Sequence, residues 1–74
     1  MNELDVVILA EDLLERGLRE GDVGTIVFVH DGGAAYEVEF VTLDGETVGV
    51  LTLQAAQVRP VARRQIAHAR TVLG

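Results

Sequence analysis

The side chains with which this chain could do nucleophilic or acid–base chemistry are few: His30, His68, Tyr36 and a handful of threonines. Serine, cysteine and lysine are absent, so no nucleophile of the usual kinds is available and no threonine has an evident activating base. A general base works only beside a placed nucleophile and oxyanion donors. His30 falls on the shoulder of a hairpin and His68 in the tail, so both read as surface or packing histidines. The chain is expected to be non-enzymatic, with no catalytic residue.

Carboxylates offer a second chemistry. Glu37 and Glu39 share one face of a strand, and Asp44 and Glu46 flank a turn. Either pair could hold a hard cation weakly through oxygen ligands. The plainer reading is a solvated acidic face that keeps the domain soluble, and neither a metal nor a cofactor is expected. The glycine-punctuated stretch Gly17 to Gly24 leads into a strand and carries Glu20 and Asp22, which would repel a phosphate. Phosphate loops lead into a helix and usually carry a lysine, so turn geometry is the better account.

Charge is unevenly distributed. All twelve acids lie between Glu3 and Glu46, where Arg16 and Arg19 are the only bases, a net charge of −10; Arg59, Arg63, Arg64 and Arg70 follow without an acid, a net charge of +4. Nucleic-acid binding needs a basic footprint with stacking aromatics. An acidic body with three aromatic residues lacks that footprint, which argues against a nucleic-acid partner and leaves one reachable only through the tail arginines. The candidate partner-binding residues form two groups. Glu11, Asp12, Leu13, Leu14 and Glu15 set an apolar pair among carboxylates on a long connection, the kind of segment that commonly carries function. Arg63, Arg64, Ile66, Arg70 and Leu73 belong to the basic tail.

The elements that must position these residues are mainly β. Strands are predicted over Leu4 to Ala10, Gly24 to His30, Ala35 to Val41, Thr47 to Leu53 and, briefly, Val58 to Arg59. The third is the clearest, because Tyr36, Val38 and Phe40 alternate with Glu37 and Glu39. Asp31-Gly32-Gly33 and Leu43-Asp44-Gly45-Glu46 mark tight turns. Single helical turns are predicted within Glu11 to Arg16 and over Leu53 to Gln57. This order predicts an SH3-like, five-stranded small barrel over residues 1–60.

Pro60 suits the first position of a helix. Ala62, Ile66, Ala69 and Leu73 then recur at spacings of four, three and four. A C-terminal amphipathic α-helix is therefore expected over residues 61–74, docked on the barrel, on a second copy or on another protein. A chain of 74 residues without cysteine has little core and no staple, which favours an oligomer; a dimer is expected. The acidic N-terminus does not read as a secretory signal, and the uncharged run from Thr47 to Val58 is too short to span a bilayer. The expected setting is cytoplasmic, with no membrane partner.

Several blocks, in this order, resemble a small bacterial family catalogued as domain of unknown function 4926. They are Glu3-Leu4-Asp5-Val6-Val7, Gly17-Leu18 with Gly21-Asp22-Val23-Gly24-Thr25, Tyr36-Glu37-Val38-Glu39-Phe40, and Gln57-Val58-Arg59-Pro60. The resemblance runs from about Leu4 to Pro60 and implies an SH3-like barrel without an established activity. Leu14 stands where the family usually carries proline, and the basic tail extends beyond the family's usual end. A weaker likeness, in the Gly-Asp…Gly and Tyr-x-Val-x-Phe rhythm, is to the SH3-like domain of the nitrile hydratase β subunit, which implies an accessory subunit of a metalloenzyme. The reading favoured by the residues is a protein–protein interaction module, in its specific form an accessory or antitoxin/immunity-like partner protein. The alternatives are a nucleic-acid-associated barrel using the tail arginines and the metalloenzyme accessory subunit.

Overall fold

A computed structural model describes residues 1–73. Its five strands are β1 (Val6–Leu9), β2 (Val23–His30), β3 (Ala35–Val41), β4 (Thr47–Gln54) and β5 (Val58–Pro60), with 3-10 turns at Leu14–Arg16 and Ala55–Gln57. They form one antiparallel sheet in the order β4-β3-β2-β1-β5. The alternation in β3 holds: Tyr36, Val38 and Phe40 are buried, Phe40 to 2% exposure, while Glu37 and Glu39 face outward. Tight turns join the central strands because their residues tolerate left-handed backbone. Asp31, Gly32 and Gly33 take φ of 48°, 69° and 120° between β2 and β3, and Gly45 takes 92° between β3 and β4.

The sheet is curled. Val58 on β5 and Leu51 and Leu53 on β4 lie at opposite ends of the strand order, yet they share one core with Val7, Leu9, Leu18, Ile26, Tyr36, Val38 and Phe40. Two irregularities assist the curl. The β2–β3 register slips between Ile26 and Phe28, and the β3–β4 register slips between Phe40 and Val41; such bulges bend a strand and increase its twist. The slip at Val27 also lets Ile26 and Val29, three residues apart, both turn toward the core. At Gly24, β2 passes so close to β3 that a Cβ would stand 2.6 Å from Val38 Cγ1 and 3.0 Å from Phe40 Cε1.

The barrel does not close, because β4 and β5 end the sheet without pairing to each other. β5 has only three residues, and the last is Pro60, opposite Val7 on β1. Proline has no N–H to offer a ladder and is tolerated at such an edge.

Among the described residues the expected C-terminal helix is absent, and Gly74, its last expected position, lies outside them. Pro60 ends β5 instead of starting a helix, and residues 61–73 run without regular structure. A helix of about 13 residues holds only when its apolar stripe is packed, and that stripe is left largely unpacked: Ile66 is 93% and Leu73 82% exposed. Arg64 takes φ 64°, incompatible with a continuous right-handed helix. Among the described residues, no helix is long and apolar enough to cross a membrane.

Candidate protein-interaction site

The connection from Ala10 to Asp22 folds back on itself as a stiff arm. Leu13 and Leu18 exchange backbone hydrogen bonds of 2.9 and 3.1 Å across its tip. Gly17, at φ 72°, closes the intervening turn, its N–H donating to the Leu14 carbonyl at 3.0 Å. Asp12 Oδ1 accepts the Glu20 N–H at 2.8 Å, and the Gly21 N–H donates to the Leu9 carbonyl at 2.8 Å, which ties the arm's base to β1. Leu13 packs partly buried against the core and Leu18 joins it, whereas Leu14 stays exposed.

Between this arm and the outer edge of β4 lies an open groove of about 540 Å³. Leu13, Glu15 and Arg16 form one wall; Val50, Leu51, Thr52, Leu53 and Gln57 form the other. Gln57 bridges the two ends. Its Oε1 accepts the Gln54 N–H at 2.8 Å, and its Nε2 donates to Glu11 Oε2 at 3.3 Å.

The outer face beside the groove carries a small polar cluster. His30 Nε2 lies 2.5 Å from Glu37 Oε2, and the Thr52 hydroxyl donates to both Glu37 oxygens at 2.9 and 2.7 Å. These bonds, from His30 first and then Thr52, hold the Glu37 carboxyl below its ordinary pKa of 4.5. Phe28 meets the His30 ring edge-on with centroids 4.8 Å apart. Register explains the meeting, because Phe28 opposes Glu37 on β3 and Glu37 opposes Thr52 on β4. The cluster lacks a third ligand. Among the described residues no group of three or more histidine, cysteine or acidic side chains could hold a metal ion.

The two groups of sequence-predicted residues come together only in part. Arg70 donates through Nε to Asp22 Oδ1 at 3.0 Å, through Nη2 to the Gly17 carbonyl at 3.0 Å, and through Nη2 to Asp22 Oδ2. This pairing raises the guanidinium pKa above its ordinary value, Asp22 being the main cause, and keeps it charged. The tail end thus lies against the arm on a second, smaller hollow of about 200 Å³ lined by Leu14, Gly17, Arg19, Arg70, Thr71 and Leu73. Arg63, Arg64 and Ile66 stay exposed, away from the groove lining.

Asp22 reads in the sequence as a turn acid that would repel a phosphate; the charge asymmetry allows the tail to dock on the body, but nothing in the sequence singles out Asp22 as its anchor. The β4 wall of the groove was also missed. The uncharged run from Thr47 onward is the feature that could have flagged it.

The sequence model of one family, described as Domain of unknown function (DUF4926), matches residues 3–60. No curated protein and no solved structure matches the chain.

Proposed function

The chain belongs to the DUF4926 family, and on that footing we propose that it is a non-enzymatic protein-interaction module whose acidic body receives a basic protein surface. The curled sheet is read here as an open SH3-like barrel. One observation carries the reading: a groove of about 540 Å³ lies between a hydrogen-bonded arm and a strand edge, with Glu15 beside Arg16 on its wall. Glu11 at its end and Glu37 and Glu39 on the adjoining sheet face add to the negative field. Complementary fields of this kind speed encounter and exclude wrong partners.

The tail supports a protein partner over a nucleic acid. Arg70 is engaged by Asp22 within the chain, which leaves Arg59, Arg63 and Arg64 as an insufficient footprint for phosphate-driven binding.

Affinity purification from the native host, read by mass spectrometry at low and moderate salt, tests the reading. The full chain should recover a basic protein, and Glu15→Lys combined with Glu39→Lys should lose it while keeping the thermal midpoint. Recovery of no partner by the wild-type chain at either salt would overturn it.

A further inference from the structure

The backbone groups of the β4 edge can be assigned from one contact. The Ala55 N–H donates to the Ala34 carbonyl at 3.1 Å, one step beyond the Ala35–Gln54 pair. Bonded and non-bonded pairs alternate along an antiparallel ladder. Leu51 and Leu53 therefore direct their N–H and C=O groups at β3, while Val50, Thr52 and Gln54 turn theirs away. The Gln54 N–H is already capped by Gln57. The N–H and C=O groups of Val50 and Thr52 remain, facing the groove.

Edge strands are ordinarily blunted by charges, by proline or by a covering element. At the opposite edge, β5 carries Arg59 and ends at Pro60. From Thr47 to Gln54, β4 has neither a charge nor a proline, and its one bulge, at Val48, lies before the regular stretch from Gly49 to Gln54. An unprotected edge opening on a groove is the geometry that accepts an added strand.

We propose that the groove takes an extended segment of a partner protein, in which arginine or lysine alternates with apolar residues, as a sixth strand on β4. This rests on the interaction-module reading and specifies its ligand. The alternation follows from the pleat. Side chains opposite Val50 and Thr52 emerge on the sheet's outer face, where Glu39 and Glu37 lie one strand further in; long cations suit those positions. Side chains between them turn toward Leu13, Leu51 and Leu53, which calls for apolar residues.

The test is a titration of the isotope-labelled full chain with a capped six-residue peptide alternating arginine and valine, followed by amide NMR and hydrogen exchange. The Val50 and Thr52 amides should shift and exchange more slowly, with affinity falling as salt rises. Val50→Pro removes one edge donor at a site where proline is sterically tolerated. It should bind at least tenfold more weakly with a thermal midpoint close to wild type. If Val50→Pro fails to fold, Glu15→Lys with Glu39→Lys should weaken binding by a similar factor, and unchanged binding by that variant refutes the proposal.

Equal binding of an alternating glutamate–valine peptide, shifts centred on Phe28 or the tail, or a β4 edge occupied by a second copy of the chain would each overturn it. A host partner captured equally by wild type and Val50→Pro, but lost by the charge-reversed variant, would refute strand addition while leaving the interaction-module reading intact. Edge binding of the peptide without any host partner would do the reverse.

Discussion

Replacing Gly24 by alanine adds one methyl group where β2 packs tightly against β3. That carbon would stand 2.6 Å from Val38 Cγ1, 3.0 Å from Phe40 Cε1 and 3.1 Å from the Glu39 carbonyl oxygen. Carbon atoms settle at about 3.5–4.0 Å, so the Val38 contact is short by about 1 Å. Relief is hard to find. Val38 is fully buried and β-branched, so its χ1 is stiff; Phe40 is buried beside it, and the carbonyl belongs to the ladder. Overpacking of this kind costs about 1–3 kcal/mol, offset by about 0.4–1 kcal/mol from the less flexible unfolded chain. The net loss of about 1–2 kcal/mol corresponds to a fall in thermal midpoint of roughly 4–16 °C for a domain of this size.

Gly49 supplies the control. It has ordinary φ and no atom within 4 Å of where a Cβ would sit, so Gly49→Ala should be neutral or stabilising by up to about 1 kcal/mol. Thermal unfolding followed by circular dichroism reads both variants. If Gly24→Ala melts within a degree of wild type, or Gly49→Ala falls as far as Gly24→Ala, the close crossing of β2 and β3 is not what glycine at position 24 serves.

Asp22→Asn should release the tail with little effect on the body, since a pair this near the surface contributes about 1 kcal/mol or less. Amide chemical shifts from Ile66 to Leu73 should move toward random-coil values while those of β3 stay fixed, and an unchanged tail spectrum would remove the tether. Glu37 should produce a limb of acid sensitivity. Its pKa is lowered by His30 and Thr52, so its stabilising effect is complete above the ordinary carboxyl value of 4.5 and is lost as pH falls through the lowered one. Midpoint-against-pH curves for wild type and Glu37→Gln should converge toward the acid end, and parallel curves would contradict the assignment.

Local alternation and turn chemistry were the legible parts of the fold. The β3 strand announces its inner face through Tyr36, Val38 and Phe40, and both hairpins are written in glycine and aspartate. β2 is harder to read, because its inward residues Ile26 and Val29 are separated by Val27 and Phe28, a spacing that strict two-residue alternation does not produce. The tail was misread for a different reason. Its four-three-four stripe describes a helix that would be amphipathic if formed, but periodicity says nothing about whether a surface is there to receive it. The site was half legible. The carboxylate-rich arm from Glu11 to Glu15 stands out in sequence, whereas Val50 and Thr52 matter through hydrogen-bonding direction, which depends on how β4 pairs with β3. The His30–Glu37 contact depends in the same way on hairpin register.

The slip at Val27 separates two properties that strand length usually couples. Ile26 faces Val38 and Phe28 faces Glu37 on either side of it, so excising Val27 would leave all of these partnerships intact and straighten the strand. The position contributes curvature and nothing to pairing. Natural variation there should therefore be free in side-chain identity yet constrained in residue count, wherever the chain must keep its two distant strand edges wrapped around one interior.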